Sequence, residues 1–396
     1  MPQEIPILGP SGHELTDGEA ELEQAVAAAG KSLDARGLNT IVVNDPQRET
    51  RTAAVLARLR AALPAAAFRI LVATGTHAFD AAQRRAFERE VLSPGAVEQI
   101  AWHDCTAGDL ASVPGPAAWR CHPWLLDEAP VLGIGSCEGH YFAGITGAHK
   151  TVTVGCAARD DVQANHANAL SKDSRPGRLA GNPVHDGIAA MVASLEARRP
   201  LAAINLLQLE GRILSAAAGT PLEALERIAP AVRSTYFRGI PSPADALVLA
   251  TEGVLGRSFY QADKGIKNNE WAVRDGGCLV LLAPCPEGIG QDHFMSLLRE
   301  CGDYASAVAQ VARRGYRLGD HKAVKLRYLT DVRGVRVFIV SADIARAEAE
   351  VMGMAKADDV EAALAAGGTD PGRDKVYRVA DAANTCVTVD PAAEGL

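Results

Sequence analysis

Between Glu138 and His166 the chain gathers His140, His149, His166 and Lys150 around a glycine-interrupted loop, and His77 stands upstream. Imidazole is the commonest general acid/base and a ligand for borderline metals such as nickel or zinc. A lysine forms covalent adducts with carbonyl compounds and cofactors. This set of side chains points to an enzyme that works with a tethered or metal-bearing cofactor. The segment Gly144-Ile145-Thr146-Gly147-Ala148-His149-Lys150 lacks the P-loop spacing, which disfavours a nucleoside triphosphate site.

Two other segments carry chemistry. Asp45-Pro46-Gln47-Arg48 places a carboxylate and a guanidinium three residues apart at a turn. It reads either as an Asp-Pro turn with a solvated arginine or as a lip that holds phosphate or carboxylate. Tyr260-Gln261-Ala262-Asp263-Lys264 reads either as an ordinary helix start or as an aromatic face, an amide and a cation brought to a cleft. His13, His103, His122, His185, His293 and His321 have no comparable context and read as structural or surface residues.

The elements that must position these residues alternate strand and helix, the signature of α/β layers. Strands are predicted at 40–44, 68–73 and 129–135, with helices at 52–63, 80–91 and 160–170. Asp160 is the expected N-cap of the last helix, with Gln163 at the capping-box position. In the second half, 246–250, 278–283 and 335–340 read as buried parallel strands. Helices are expected at 291–300, 304–313 and 344–352. The turn and breaker residues of Arg238 to Pro243 mark a domain boundary, giving domains 1–240 and 241–396. The fold class is therefore two α/β domains with mainly parallel sheets and an active-site cleft between them. Asp45/Arg48, His77 and His140 all fall just past predicted strand ends, where open α/β sheets bind ligands.

The 396 residues are enough for two cores, and the composition, 48% hydrophobic and 22% charged, is that of a globular protein. A net charge of −8 argues against nucleic acid as a partner. Met1-Pro2-Gln3-Glu4 lacks the basic and apolar regions of a signal peptide, and no apolar run is long enough to span a membrane. A cytoplasmic location is the expectation. The eight cysteines form no Cys-x-x-Cys pair and read as reduced, buried, small apolar residues.

Taken together, the motifs resemble the lactate racemase family of nickel-pincer enzymes. The resemblance rests on Asp45 and Arg48, Gly75-Thr76-His77, His140 ten residues before Lys150, His166 sixteen after it, and Tyr260, Gln261 and Lys264. It implies a nickel ion and a pyridinium-3,5-bisthiocarboxylic acid mononucleotide, tethered at Lys150 through a thioamide, with His166 completing the nickel coordination. The loop Asp45, Pro46, Gln47, Arg48 would hold the nucleotide, and Phe142 and Tyr260 would pack about the pyridinium. Gln261 and Lys264 would bind the carboxylate of a 2-hydroxy acid. Inversion at C2 would proceed by hydride transfer to the cofactor, with His77 and His140 each serving the hydroxyl of one enantiomer. Cofactor-building enzymes would be partners for loading; the oligomeric state is left open.

Two departures accompany the resemblance. The family's founding lactate enzymes carry Gly-Gly-Arg-Lys where this chain has Gly147-Ala148-His149-Lys150. They also carry a tryptophan in a C-terminal Gln-Trp-Gln segment, where this chain has Gly319-Asp320-His321-Lys322-Ala323. The expected substrate is therefore a larger or more polar 2-hydroxy acid than lactate, such as malate or a sugar acid. A redox or lyase variant on the same cofactor is a second reading. A nickel or cofactor carrier is a third, but storage needs only Lys150 and His166.

Overall fold

Apolar β-branched runs set the architecture. A computed structural model describes residues 5–11, 18–92, 97–115, 118–291 and 293–389, so His13 lies outside the described residues. The run Ile41-Val42-Val43 lies in the strand Leu38–Asn44. Ile41 and Val43 pack with Leu22, Leu59 and Ile204, whereas Val42 packs with Leu71, Val131 and Ile188. A strand that is apolar on both faces needs helices on both. Gly18–Gly30 and Thr52–Ala62 cover one face and Pro183–Glu196 the other.

The first sheet has six strands in the order 212–219, 201–209, 131–136, 38–44, 67–73, 99–102. Its pairings are parallel except at the edge, where Leu201–Leu209 and Arg212–Gly219 run antiparallel. This hairpin departs from the expected alternation of strand and helix. Its physical basis is a two-residue turn, Glu210-Gly211, with φ of 51° and 73°. Two positive φ values in sequence make the turn whose twist matches a hairpin.

The second sheet also has six strands, all paired in parallel, in the order 7–8, 376–379, 244–250, 273–282, 336–340, 355–356. The predicted strands of the second half lie here. Ile7–Leu8, from the start of the chain, adds to the edge of this sheet. The predicted boundary segment is only partly a turn: Phe237–Ile240 is a strand that pairs with Cys386–Val389. Both halves are thus stitched by chain that crosses between them.

A further correction concerns the helix Arg159–Ala167, whose N-cap is Ala158 rather than Asp160. Asp160 and Asp161 lie in its first turn, where a carboxylate still favours the helix dipole. The eight cysteines are buried and unpaired. Among the described residues no helix is long and apolar enough to cross a membrane.

Buried charge is concentrated beneath the helix Phe259–Asn269. Lys267 and Glu270 pair at 3.3 Å with side-chain exposures of 0% and 7%. Removing one partner strands the other in a dry site. Glu270→Ala is therefore expected to cost about 3–5 kcal/mol of stability, read as a lower urea midpoint. An unchanged midpoint would mean that water reaches Lys267.

Candidate active site

The strands 67–73, 38–44 and 131–136 are neighbours in the first sheet and run in parallel. Successive strands lie about 5 Å apart, so the three loops leaving their carboxyl ends share one mouth. From 38–44 the chain moves through 67–73 to 99–102; 131–136 and 201–209 lie on the other side. The strand order therefore reverses between 38–44 and 131–136, which is where an α/β sheet opens a crevice. Asp45 and Arg48 leave one side of that crevice, and Glu138 and His140 leave the other. Arg48 and Glu138 bridge it at 3.0 Å.

His77 follows a turn in which Gly75 has φ of 56°. The buried carboxylate of Asp45 accepts a hydrogen bond from its Nδ1 at 2.7 Å. That bond places the ring hydrogen on Nδ1 and leaves Nε2 with its lone pair. The second oxygen of Asp45 accepts from the N–H of Gln47. Pro46 is half-buried and Gln47 exposed, so of the predicted nucleotide lip only Asp45 is fully buried.

His140 has the opposite surroundings. Its ring stacks on Tyr141 at 5.1 Å and meets Phe142 edge-on at 4.4 Å. Burial, then the charges of Lys150, Arg48 and Lys264, hold it well below the ordinary histidine range. It is neutral at pH 7. One imidazole thus has a carboxylate partner and the other has cations around it.

Lys150 is brought in by close packing. A Cβ on Gly135 would come within 2.3 Å of the Ala148 nitrogen, so only glycine lets the short helix Ala148–Thr151 lie against the strand Val131–Ser136. Asn205 accepts from the Ala148 N–H at 2.7 Å. Asn44 ties the same helix to the neighbouring loops: it donates to Thr151 Oγ1 and accepts from Ser136 N and Thr50 Oγ1. The Lys150 ammonium lies 5.6 Å above the Phe142 ring. Burial, then Arg48 and Lys264, push it well below the ordinary lysine range.

His166 packs against the opposite side of this group, 5.0 Å from Phe142. Asn165 donates through Nδ2 to the Val184 carbonyl, so its oxygen faces His166 Nδ1 at 3.3 Å. Nδ1 must then carry the hydrogen, and Nε2 keeps its lone pair. Gly187 makes room for this, since a Cβ there would meet Asn165 Nδ2 at 2.5 Å.

The second half supplies the far wall. Tyr260, Gln261 and Lys264 lie in the first turns of the helix Phe259–Asn269. Gln261 and Lys264 share a helix face by their spacing. Burial, then the charges of Arg48 and Lys322, lower Lys264 to about 7. Lys322 lies 4.5 Å over the Tyr260 ring and binds Asp263 at 3.2 Å. His321, read from sequence as structural or surface, is buried at the cleft with its ring 5.1 Å from Phe142.

The structure thus brings Asp45, Arg48, His77, His140, Phe142, Lys150, His166, Tyr260 and Lys264 to one cleft. Asn44, Glu138, Tyr141, Asn165, Asp263 and Tyr316 belong to the same surroundings and were not singled out by sequence. Their signals were weak individually. A polar residue closing an apolar strand, as Asn44 does, is the one cue that could have been used.

Residues 16–177 match the lactate racemase N-terminal domain, and residues 241–387 match the lactate racemase C-terminal domain. A lactate racemase of Thermoanaerobacterium thermosaccharolyticum is 25% identical over 256 residues, covering 62% of this chain and 59% of that protein, under two thirds of its length. One of Lactiplantibacillus plantarum is 26% identical over 298 residues, covering 72% of this chain and 69% of that protein. The lactate racemase apoprotein of T. thermosaccharolyticum superposes with a TM-score of 0.82 at 21% identity, covering 97% of this chain and 94% of that one. A Thermotoga maritima protein superposes with a TM-score of 0.70 at 16% identity, covering 94% and 98%. These two likenesses show the fold, two mainly parallel α/β sheets, and the two domain matches together span most of the chain. It belongs to the lactate racemase family.

Proposed function

We propose that this protein interconverts the enantiomers of a 2-hydroxy acid at C2, with a nickel-bearing pyridinium mononucleotide held by Lys150 and His166. The observation that carries the reading is the pair His77 and His140, from separate loops on one crevice, with the Lys264 cation on the far wall. A carrier needs no such pair.

The residues present fit that cofactor. The Lys150 amine has no hydrogen-bond or ion-pair partner among the described residues and is held toward its neutral, nucleophilic form. His166 Nε2 is left with its lone pair by the bond to Asn165. Among the described residues no three His, Cys, Asp or Glu side chains gather to hold a metal. His166 would hold the metal, and the bound cofactor would supply further donors. When bound, the cofactor supplies a hydride acceptor that other side chains lack.

The chain's own residues do the rest. Lys264 and Gln261 anchor the carboxylate, so that C2 is presented between the two imidazoles. His140 is neutral in the free protein, with Nδ1 accepting a long bond from the Ala143 N–H at 3.3 Å; it takes the hydroxyl proton of one enantiomer by giving up that bond. His77, oriented by its bond to Asp45, returns a proton to the oxygen when the other face is used. The opposite enantiomer reverses these roles. Each inversion leaves His140 with one proton more and His77 with one fewer, so a second turnover in the same direction needs His140 to give its proton up and His77, the exposed member, to take one from solvent.

The experiment is a chiral assay of 2-hydroxy acids with protein whose loading is verified by mass and nickel content. Absence of any interconversion would overturn the reading. The pH dependence is a further check. A lysine is cationic only below its pKa, about 7 for Lys264 in the free protein. Above pH 7, kcat/KM is therefore expected to fall about tenfold per pH unit. Lys264→Arg keeps its charge and flattens that limb. A wild-type profile flat from about pH 6 to 9 would remove Lys264 from the anchor.

A further inference from the structure

His321 is bonded at both ring nitrogens. Its Nε2 lies 2.9 Å from the Tyr141 hydroxyl and its Nδ1 lies 2.6 Å from the Tyr316 hydroxyl. Burial, then the charges of Lys322 and His166, hold this imidazole well below the ordinary range, so it is neutral. A neutral imidazole has one N–H, and two phenols have one O–H each. The three protons serve two hydrogen bonds, so one hydroxyl proton is always left over, at Tyr141 or Tyr316 according to the tautomer. The chain reverses its polarity when the ring changes tautomer. It therefore presents either a donor or an acceptor at little cost.

The trio stands on the cleft. Tyr141 stacks on His140 at 5.1 Å, and His321 lies 5.1 Å from Phe142, which contacts His166. Lys322, next in sequence, has its ammonium over both the Tyr141 and Tyr260 rings. The wall thus runs from one proposed base to the start of the proposed carboxylate anchor.

We infer that Tyr141, His321 and Tyr316 select a 2-hydroxy acid that carries a hydroxyl on C3 over one whose C3 is a bare methyl or bears a second carboxylate. This rests on the racemase reading above and names its substrate class, the 2,3-dihydroxy and longer polyhydroxy acids. A methyl group leaves the tyrosine hydroxyl that faces it without a partner, for its proton in one tautomer and for its lone pair in the other. A second carboxylate accepts but cannot donate and needs a cation, and two of the ammonium groups near the trio, Lys322 and Lys267, are already paired with carboxylates. Lys322 binds Asp263 and the Tyr260 carbonyl, Lys267 binds Glu270, and Lys325 binds the Ser174 carbonyl. A hydroxyl, both donor and acceptor, matches what the trio offers.

Glycerate, lactate and malate isolate the effect, because they differ only in the group on C3. Racemic acids are already at equilibrium, so calorimetry on the cofactor-loaded protein reads binding alone. Glycerate is expected to bind at least about tenfold tighter than lactate or malate. His321→Phe is expected to bring the three affinities within about threefold, and Tyr316→Phe to reduce the preference while keeping the imidazole in place. Equal binding of glycerate and lactate to the wild type, or a preference that survives in both variants, overturns the inference. Chiral assay of the same samples separates the two readings. Selective glycerate binding without interconversion would sink the racemase reading and leave the wall; lactate interconversion without selectivity does the reverse.

Discussion

Replacing His77 or His140 by alanine is expected to slow interconversion by about 10²–10⁴-fold while nickel and cofactor remain bound. Enantiomers present the hydroxyl on opposite sides of C2, and complete inversion uses one imidazole to accept a proton and the other to donate one. Losing either side stops both directions. The fall must be equal in the two directions, because enantiomers have equal free energy and the ratio of the two kcat/KM values is fixed at one. Neither histidine touches Lys150 or His166 by a hydrogen bond, so loading has no reason to fail. The check is chiral chromatography from each pure enantiomer, with nickel content and intact mass measured on the same samples. Near-normal turnover by either variant would remove that histidine from the reaction. The two variants should also differ in character. His77 is bonded to the Asp45 carboxylate, whereas His140 is among cations. An added small imidazole is therefore expected to rescue His77→Ala better, since its site is the exposed one.

Lys150→Ala is expected to abolish any covalent mass increment, and His166→Ala to abolish stable nickel binding. The two effects are separable because the residues do different work. The Lys150 amine has no polar partner among the described residues and is kept toward its neutral form by burial and by Arg48 and Lys264. That is the state in which an amine forms a bond. His166 has its free nitrogen fixed by Asn165, an arrangement whose loss commonly costs about 10–100-fold in metal affinity. Asn165→Ala should accordingly weaken nickel binding without touching the mass increment. Intact mass spectrometry under denaturing conditions reads the tether, and metal analysis of the native protein reads the nickel. Fully loaded, active wild type with an unmodified mass would refute the tether and spare the two-histidine reaction.

Much of the fold could be read locally. Runs such as Ile41-Val42-Val43 and Leu279-Val280-Leu281 are apolar on both faces, and a chain that buries both faces of a strand must build a covered, mainly parallel sheet. The same runs locate the strand ends, and so the loops of Asp45, His77 and His140. The exceptions were also local in kind. The hairpin at Glu210-Gly211 turns on backbone angles that residue types announce only weakly, and Phe237–Ile240 became a strand because Cys386–Val389 was there to pair with it.

What the sequence determined by itself was the inventory: two histidines after strands, a lysine in a glycine loop, a helical histidine, and a helix that begins with an aromatic, an amide and a cation. Tertiary structure decided what each of them is. Strand order placed 131–136 beside 38–44, and so Glu138 opposite Arg48. It committed the carboxylate of Asp45 to His77, set the free nitrogen of His166 through Asn165, and set His321, from the segment that stands where the family has its tryptophan, in the cleft between Tyr141 and Tyr316. The physical reason is that protonation state and hydrogen-bond partner depend on burial and on neighbours far away in the chain, and neither leaves a periodic trace in sequence. A histidine looks the same in a row of letters whether a carboxylate, two phenols or three cations surround it.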